Sequence, residues 1–472
     1  MTPRAASPNP TPGAEVRATL SLAWPLVLTN LSQMAMTVTD ALVLGHHSAE
    51  ALAAATLGAN LYWALLAPGF GLALAAAPLL AQLRGRGQHP LRGRRGAVHA
   101  SAFAVLLAVL PAWAVLWHTA PALRLLGQAP ALADLAQVYM RPMMWGLLPF
   151  CLFIVLRGLL AAEERPRAAL VVAVGGILAN ALFCWGLVFG HLGMPALGVA
   201  GAGIASSLAN GLMLLALWAA VARDRRLRRL RLFRPLRHDD PPFAGLRRVL
   251  RLGLPISGSM VLEIGVFSGA AFVIGGFGPV AIAAHAITVQ IASMTFMVPM
   301  GIGQAATARV GIATGGLRAV AARRAGWVAI GLCAGFMAMM AVVLLSQPQH
   351  LAGLFLSPDD PVAPAVLAMA VPMLMAAGAF QLADGVQAAA AGALRGLGDT
   401  RVPMLLAGLG YWGIGLPGAW VLAHPLGFGP VGIWIGLALG LGTVSVLMAL
   451  RWHRLARRGG LTPARGLRPS RA

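Results

Sequence analysis

The chain is expected to fold as an all-α integral membrane protein, with twelve transmembrane helices in two pseudo-symmetric six-helix bundles. Three observations carry this expectation. Of 472 residues, 58% are hydrophobic and 11% charged, whereas soluble domains carry about 25% charged residues. The apolar runs reach or exceed the roughly 20 residues a helix needs to cross a bilayer, and are far too long for barrel strands. A shift of 230 residues also aligns the starts of the two halves without a gap.

In chain order, apolar helical segments lie near 18–44, 51–83, 97–117, 132–157, 167–190 and 197–222. A basic stretch follows, and then segments near 249–275, 279–313, 319–345, 362–394, 402–423 and 428–453. The domain reading is a disordered tail over 1–16, a first lobe over 17–222, a basic linker over 223–247, a second lobe over 248–455 and a basic tail over 456–472. Each half has an even number of spans, so the repeats run parallel, and transporters of this kind place their substrate site between the halves. Within the repeat, Pro25 meets Pro255, Gly45 meets Gly275 and Gly71 meets Gly301, while Arg157-Gly158-Leu159 resembles Arg395-Gly396-Leu397.

Arginine placement orients the spans. The 84–95 loop, the loop after the fourth span, the 223–251 stretch with eleven arginines and the loop after the eighth span are all basic. The alternate loops near 45–50, 191–196, 276–278, 346–361 and 424–427 carry no arginine; only Arg124 and Arg141 break the alternation. Positive charge marks cytoplasmic loops, so both termini are expected there. The 223–251 run reads as a contact for anionic lipid heads rather than for nucleic acid. The formal net charge of +22 comes from arginine alone, for the chain has no lysine. That excludes a Walker A lysine, so energy must come from an ion gradient or a partner. Cys151, Cys184 and Cys333 lie singly in apolar segments and read as buried thiols.

Most of the 14 acidic residues fall in tails, loops or helix ends, but Asp40, Glu263 and Asp384 lie inside apolar segments. A carboxylate near mid-bilayer costs about 2.5–3.5 kcal/mol on insertion scales, and three of them point to cation handling. Glu263 lies twelve residues past Arg251 and Asp384 eleven before Arg395, about 18 and 16 Å along a helix. The two should share a level and hold a proton or another cation between them; a Na+ site at Glu263 and Asp384 stays open. Asp40 belongs toward the outer face. The acids break the repeat, since Asp40 aligns with Ala270 and Glu263 with Gln33. Pro25 lacks a backbone donor and should kink the first span, which suits a gating role.

These residues stand in strings that resemble the multidrug and toxic compound extrusion (MATE) antiporters of the NorM type, over nearly the whole chain. The strings are LAWPLVLTN at 22–30, LGLPISGSMVLE ending at Glu263, AIAAHAITVQ at 281–290, VPMGIGQAATARVG at 298–311 and AGALRGLGDTRVP at 391–403. The resemblance implies efflux of cationic, often aromatic drugs in exchange for H+ or Na+, with no other cofactor. It matches Asp40, Glu263 and Asp384 to the family's acids and Asn180 to its fifth-span asparagine. Four residues on, the family usually has Asn or Asp where this chain has Cys184. A thiol is a poor ligand for a hard cation, so the first lobe leans toward H+, with Asn180 able to hydrogen-bond Asp40.

Trp145, Phe153, Met260, Phe267, Met294, Phe296, Met297 and Met300 could supply an adaptable apolar wall. The expected partners are cationic drugs and membrane lipids, with no nucleic acid, for a monomer in the bacterial inner membrane. The alternative on the same architecture is a flippase or exporter of a lipid-linked or other endogenous metabolite. A pyrophosphate carrier would be expected to line its cavity with cations, and here the arginines cluster at span ends. No HExxH and no paired Ser–His suggest an enzyme. The glycines of GVAGAGIASS at 198–207 follow no strand and read as close helix packing.

Overall fold

The computed structural model describes residues 11–87, 91–230, 232, 245–357 and 361–457. Most of the 1–16 tail, the middle of the 223–247 linker and nearly all of the 456–472 tail lie outside the described residues. Twelve helices are long and apolar enough to span a membrane: α1 Pro12–His47, α2 Ala49–Gly85, α3 Gly93–Trp117, α4 Pro130–Ala162, α5 Arg167–Phe189, α6 Val199–Arg223, α7 Leu246–Gly275, α8 Pro279–Gly315, α9 Ala319–Ser346, α10 Ala363–Leu397, α11 Arg401–Ala423 and α12 Gly429–Arg457. No strand occurs among the described residues. In lipid every backbone group must be satisfied within its own segment, which is why long apolar runs become helices.

Helix α1 begins at Pro12, inside the segment expected to be a disordered tail. The physical reason is Glu15, only 1% exposed, which takes two hydrogen bonds from the Arg309 guanidinium at 2.9 and 2.6 Å. Composition could not show this, because the partner lies 294 residues away.

The chain divides into two compact units, Leu28–Ser257 and Met1–Val27 with Gly258–Ala472. The lobe bounds read from the sequence assign α1 and α7 whole to their own halves, whereas the units divide both helices. Each division falls two residues past a proline, Pro25 or Pro255, and the two positions are related by the repeat shift of 230 residues. Packing explains the division. In the Leu28–Ser257 unit, Gly71 of α2 lies against the Ser257 backbone, and a Cβ there would sit 2.5 Å from Ser257 N. In the other unit, Gly301 of α8 lies as tightly against Val27, with a Cβ 2.8 Å from Val27 N. The two contacts are repeat equivalents, glycine for glycine.

Ion pairs tie span ends where the basic loops emerge. In the Leu28–Ser257 unit, Glu163 meets Arg84 at 3.7 Å and Arg94 at 2.5 Å, and Arg165 pairs with Asp224. In the other unit, Arg451 holds Asp399 at 2.9 Å. The two arginines that break the alternation are held locally. Arg124 pairs with Asp134 at 2.5 Å, and Arg141 lies 5.0 Å over the Trp117 ring.

Asp224, just past α6, gives a pH-dependent contribution to stability. Burial pushes its carboxyl up, but the backbone N–H groups of Arg226 and Leu227 and the Arg165 guanidinium outweigh that and hold it below its ordinary value of 3.8. A carboxyl depressed in the folded state stabilises above its unfolded value, and the gain is lost as pH falls through the folded value. Asp224→Ala is therefore expected to lower Tm at pH 7, with the gap to wild type closing in acid below about 3.8. Thermal unfolding in detergent across pH 7 to 3 checks this; a gap that ignores pH sinks it.

Candidate functional site

In the Leu28–Ser257 unit, three helices turn buried faces toward Asp40. On α1, Ser32, Met36, Asp40 and Leu44 recur every four residues and are each less than 9% exposed, so Asp40 lies on an inward stripe. Asn180 and Cys184 of α5, four apart and both 0% exposed, share one face. Ser206 of α6 lies on a stripe with Ala202, Ala209 and Met213. Asn180 Nδ2 donates to Asp40 Oδ1 at 3.1 Å, and the Ser206 hydroxyl donates to Asp40 Oδ2. The Cys184 thiol is within hydrogen-bonding reach of the same carboxylate. Asn180 Nδ2 also approaches Ser206 Oγ at 3.3 Å, while Asn180 Oδ1 is buried without a hydrogen-bond partner. The shell around Asp40 thus consists of donors.

Ser206 is the member that sequence reasoning missed. It stands in the glycine string 198–207, whose glycines do pack closely. A Cβ at Gly201 would sit 2.4 Å from Leu187 O, and one at Gly203 the same distance from Tyr139 O. The available signal was a hydroxyl on the buried stripe of an apolar span, one turn beyond Gly203.

In the other unit, Asp384 lies on the buried stripe of α10 with Ala377, Gln381 and Ala388. Glu263 shares a face of α7 with Val266, Ala270 and Ile274, all three buried. Glu263 and Asp384 are within electrostatic reach of one another, and Arg395 is within reach of Glu263. The two acids thus lie close enough to interact, and Arg395, a marker of depth in the sequence, is the group added to them. Tyr411, also within their reach, accepts a hydrogen bond from Gln387 Nε2 at 2.5 Å. Its placement comes from a π-helical segment, Leu409–Gly415, inside α11. Pro417 has no N–H to close the α-helical bond on Gly413, and the wider turn relieves the mismatch.

Pro25 lies within α1, in the Met1–Val27 segment. Among the expected wall residues, Trp145 and Met294 are about half exposed. Phe153 is 0% exposed and belongs to the core. No three His, Cys, Asp or Glu side chains among the described residues are grouped to hold a metal ion.

The sequence profile of the family MatE matches residues 25–186 and 255–421. The chain belongs to the MatE family. The two MatE matches begin at Pro25 and Pro255, the prolines that open the internal repeat. Among MatE relatives, the chain is 47% identical to the "Probable multidrug resistance protein NorM" of Mesorhizobium japonicum, covering 93% of this chain and 94% of that protein. It is 44% identical to the protein of the same name from Brucella suis, over 94% and 93%. The fold matches the crystal structure of a eukaryotic MATE transporter, AtDTX14, with TM-score 0.83 at 21% identity, over 94% of this chain and 98% of that one. It matches the Vibrio cholerae MATE transporter VcmN in the bent form with TM-score 0.82 at 18% identity, over 95% and 99%. This MatE chain is thus a multi-pass membrane protein with the fold of MATE transporters.

Proposed function

We propose that the chain is a multidrug efflux antiporter that exports lipophilic, aromatic cations in exchange for an inward cation. One observation carries the reading: each unit holds its own carboxylate cluster within its spans, Asp40 with Asn180 and Ser206 in one, half-buried Glu263 with buried Asp384 in the other. Alternating access would let a carboxylate trade one positive occupant for another as the units reorient. The multidrug resistance names of the relatives support this substrate class.

For Asp40 the coupling ion is H+. Its shell presents donors to the carboxylate, and Cys184 stands where a hard cation would want an oxygen. A Na+ ion at Glu263 and Asp384 remains compatible with that pair. One proton against one monovalent cation moves no net charge, so the pH gradient alone drives the exchange, by roughly 1.4 kcal/mol per pH unit. Pro25 serves as the flexible point of α1. The protein works as a monomer in the inner membrane, with both termini cytoplasmic, a reading supported by the arginine-rich alternate loops. Its partners are cationic drugs and lipids, and it needs no cofactor beyond the coupling ion.

Liposomes with imposed gradients test the proposal. Ethidium efflux is expected to follow an imposed pH gradient. Efflux that follows only Na+ overturns the proton assignment, and lipid scrambling without drug movement overturns the antiporter.

A further inference from the structure

Arg157 is a buried cation without a counter-ion among the described residues. It lies in α4, 3% exposed, and its Nη1 donates to Asn30 Oδ1 of α1 at 2.9 Å. Asn30 is its hydrogen-bonding partner among the described residues, and no carboxylate among them stands within ion-pair distance. A charge taken out of water costs several kcal/mol unless it is paired. Asn30 is itself 1% exposed, and its Nδ2 has no partner. One turn along α1, Gln33 Nε2 is buried and unpartnered as well. The guanidinium and two carboxamide N–H groups are all donors.

The internal repeat explains how this arose. Arg157-Gly158-Leu159 resembles Arg395-Gly396-Leu397, and Arg395 has Glu263 within electrostatic reach. The 230-residue shift places Gln33 opposite Glu263. The Leu28–Ser257 unit thus kept the arginine and carries an amide where the other unit has an acid.

We propose that Arg157 and Asn30, with Gln33 beside them, form a subsite for a monovalent anion, either a carboxylate or a halide. A guanidinium flanked by amide donors matches the acceptor-only character of such a group. A carboxylate would come from a zwitterionic transported compound, and that arm rests on the transport reading above; the halide arm does not.

The test uses the full-length protein in lipid nanodiscs. Tryptophan fluorescence is titrated with chloride in a gluconate background, and norfloxacin binding is compared with that of its decarboxylated analogue. Wild type is expected to bind chloride, or to favour norfloxacin about tenfold. Asn30→Asp sets a carboxylate on Arg157 from within, so it should abolish either preference while Tm holds or rises. A purely structural Arg157–Asn30 bond would predict no such loss. The subsite is overturned if wild type shows neither chloride binding nor a carboxylate preference, or if Asn30→Asp retains what wild type shows. Should Asn30→Asp not fold, the wild-type titrations together with Arg157→Gln decide in the same way. Wild-type ethidium efflux reports separately on the transport reading.

Discussion

Replacing Asp40 with Asn is expected to abolish pH-driven ethidium efflux from liposomes, by at least about tenfold, with the protein still folded. The substitution conserves volume, and the new side-chain oxygen still accepts from Ser206 or Asn180. On the proposed reading it removes the group that would take up and release the coupling proton. Tenfold corresponds to about 1.4 kcal/mol, and loss of the exchange step exceeds that. Ser206→Ala provides a graded comparison. It removes one charge-assisted hydrogen bond of the kind worth about 1.5–3 kcal/mol, so coupling should weaken on the order of tenfold without vanishing. Asp384→Asn should impair the other unit in the same assay. If Asp40→Asn transports at the wild-type rate, Asp40 has no coupling role, whatever its neighbours.

Adding a methyl at Gly71 or Gly301 is expected to give the largest loss of stability. At Gly71 the new Cβ would lie 2.4 Å from Ser257 Oγ and 2.5 Å from Ser257 N. At Gly301 it would lie 2.4 Å from Val27 Cγ2 and 2.8 Å from Val27 N. Backbone cannot swing aside as a side-chain tip can, so the helices must separate, and overpacking of this kind costs about 1–3 kcal/mol. Gly211→Ala in α6 is the control, because nothing lies within 4 Å of its added Cβ. There the alanine should be neutral or gain up to about 1 kcal/mol of helix propensity. Thermal unfolding should rank Gly71→Ala and Gly301→Ala several degrees below wild type and Gly211→Ala at or above it. Equal midpoints for all three would mean that these crossings are loose.

Hydrophobicity and charge settled the spans, because lipid forces each long apolar run into a self-satisfied helix whatever its neighbours. The internal repeat was equally visible, since glycines and prolines mark backbone geometry that both halves reuse. Asp40, Glu263 and Asp384 stood out because a buried acid is expensive and therefore rare. What escaped was everything that depends on which helix faces meet. Ser206 looked like packing until α6 brought its hydroxyl onto Asp40. Arg395 marked a helix end until it came within reach of Glu263, and Tyr411 gained its place from a π turn that no apolar pattern signals. The division of α1 and α7 between units was also out of reach, for a run of apolar residues does not say which bundle it packs against. Sequence alone thus settled which segments enter the lipid, because that follows from residue chemistry. Tertiary structure alone decided its partners, because distances of about 3 Å depend on how helices cross.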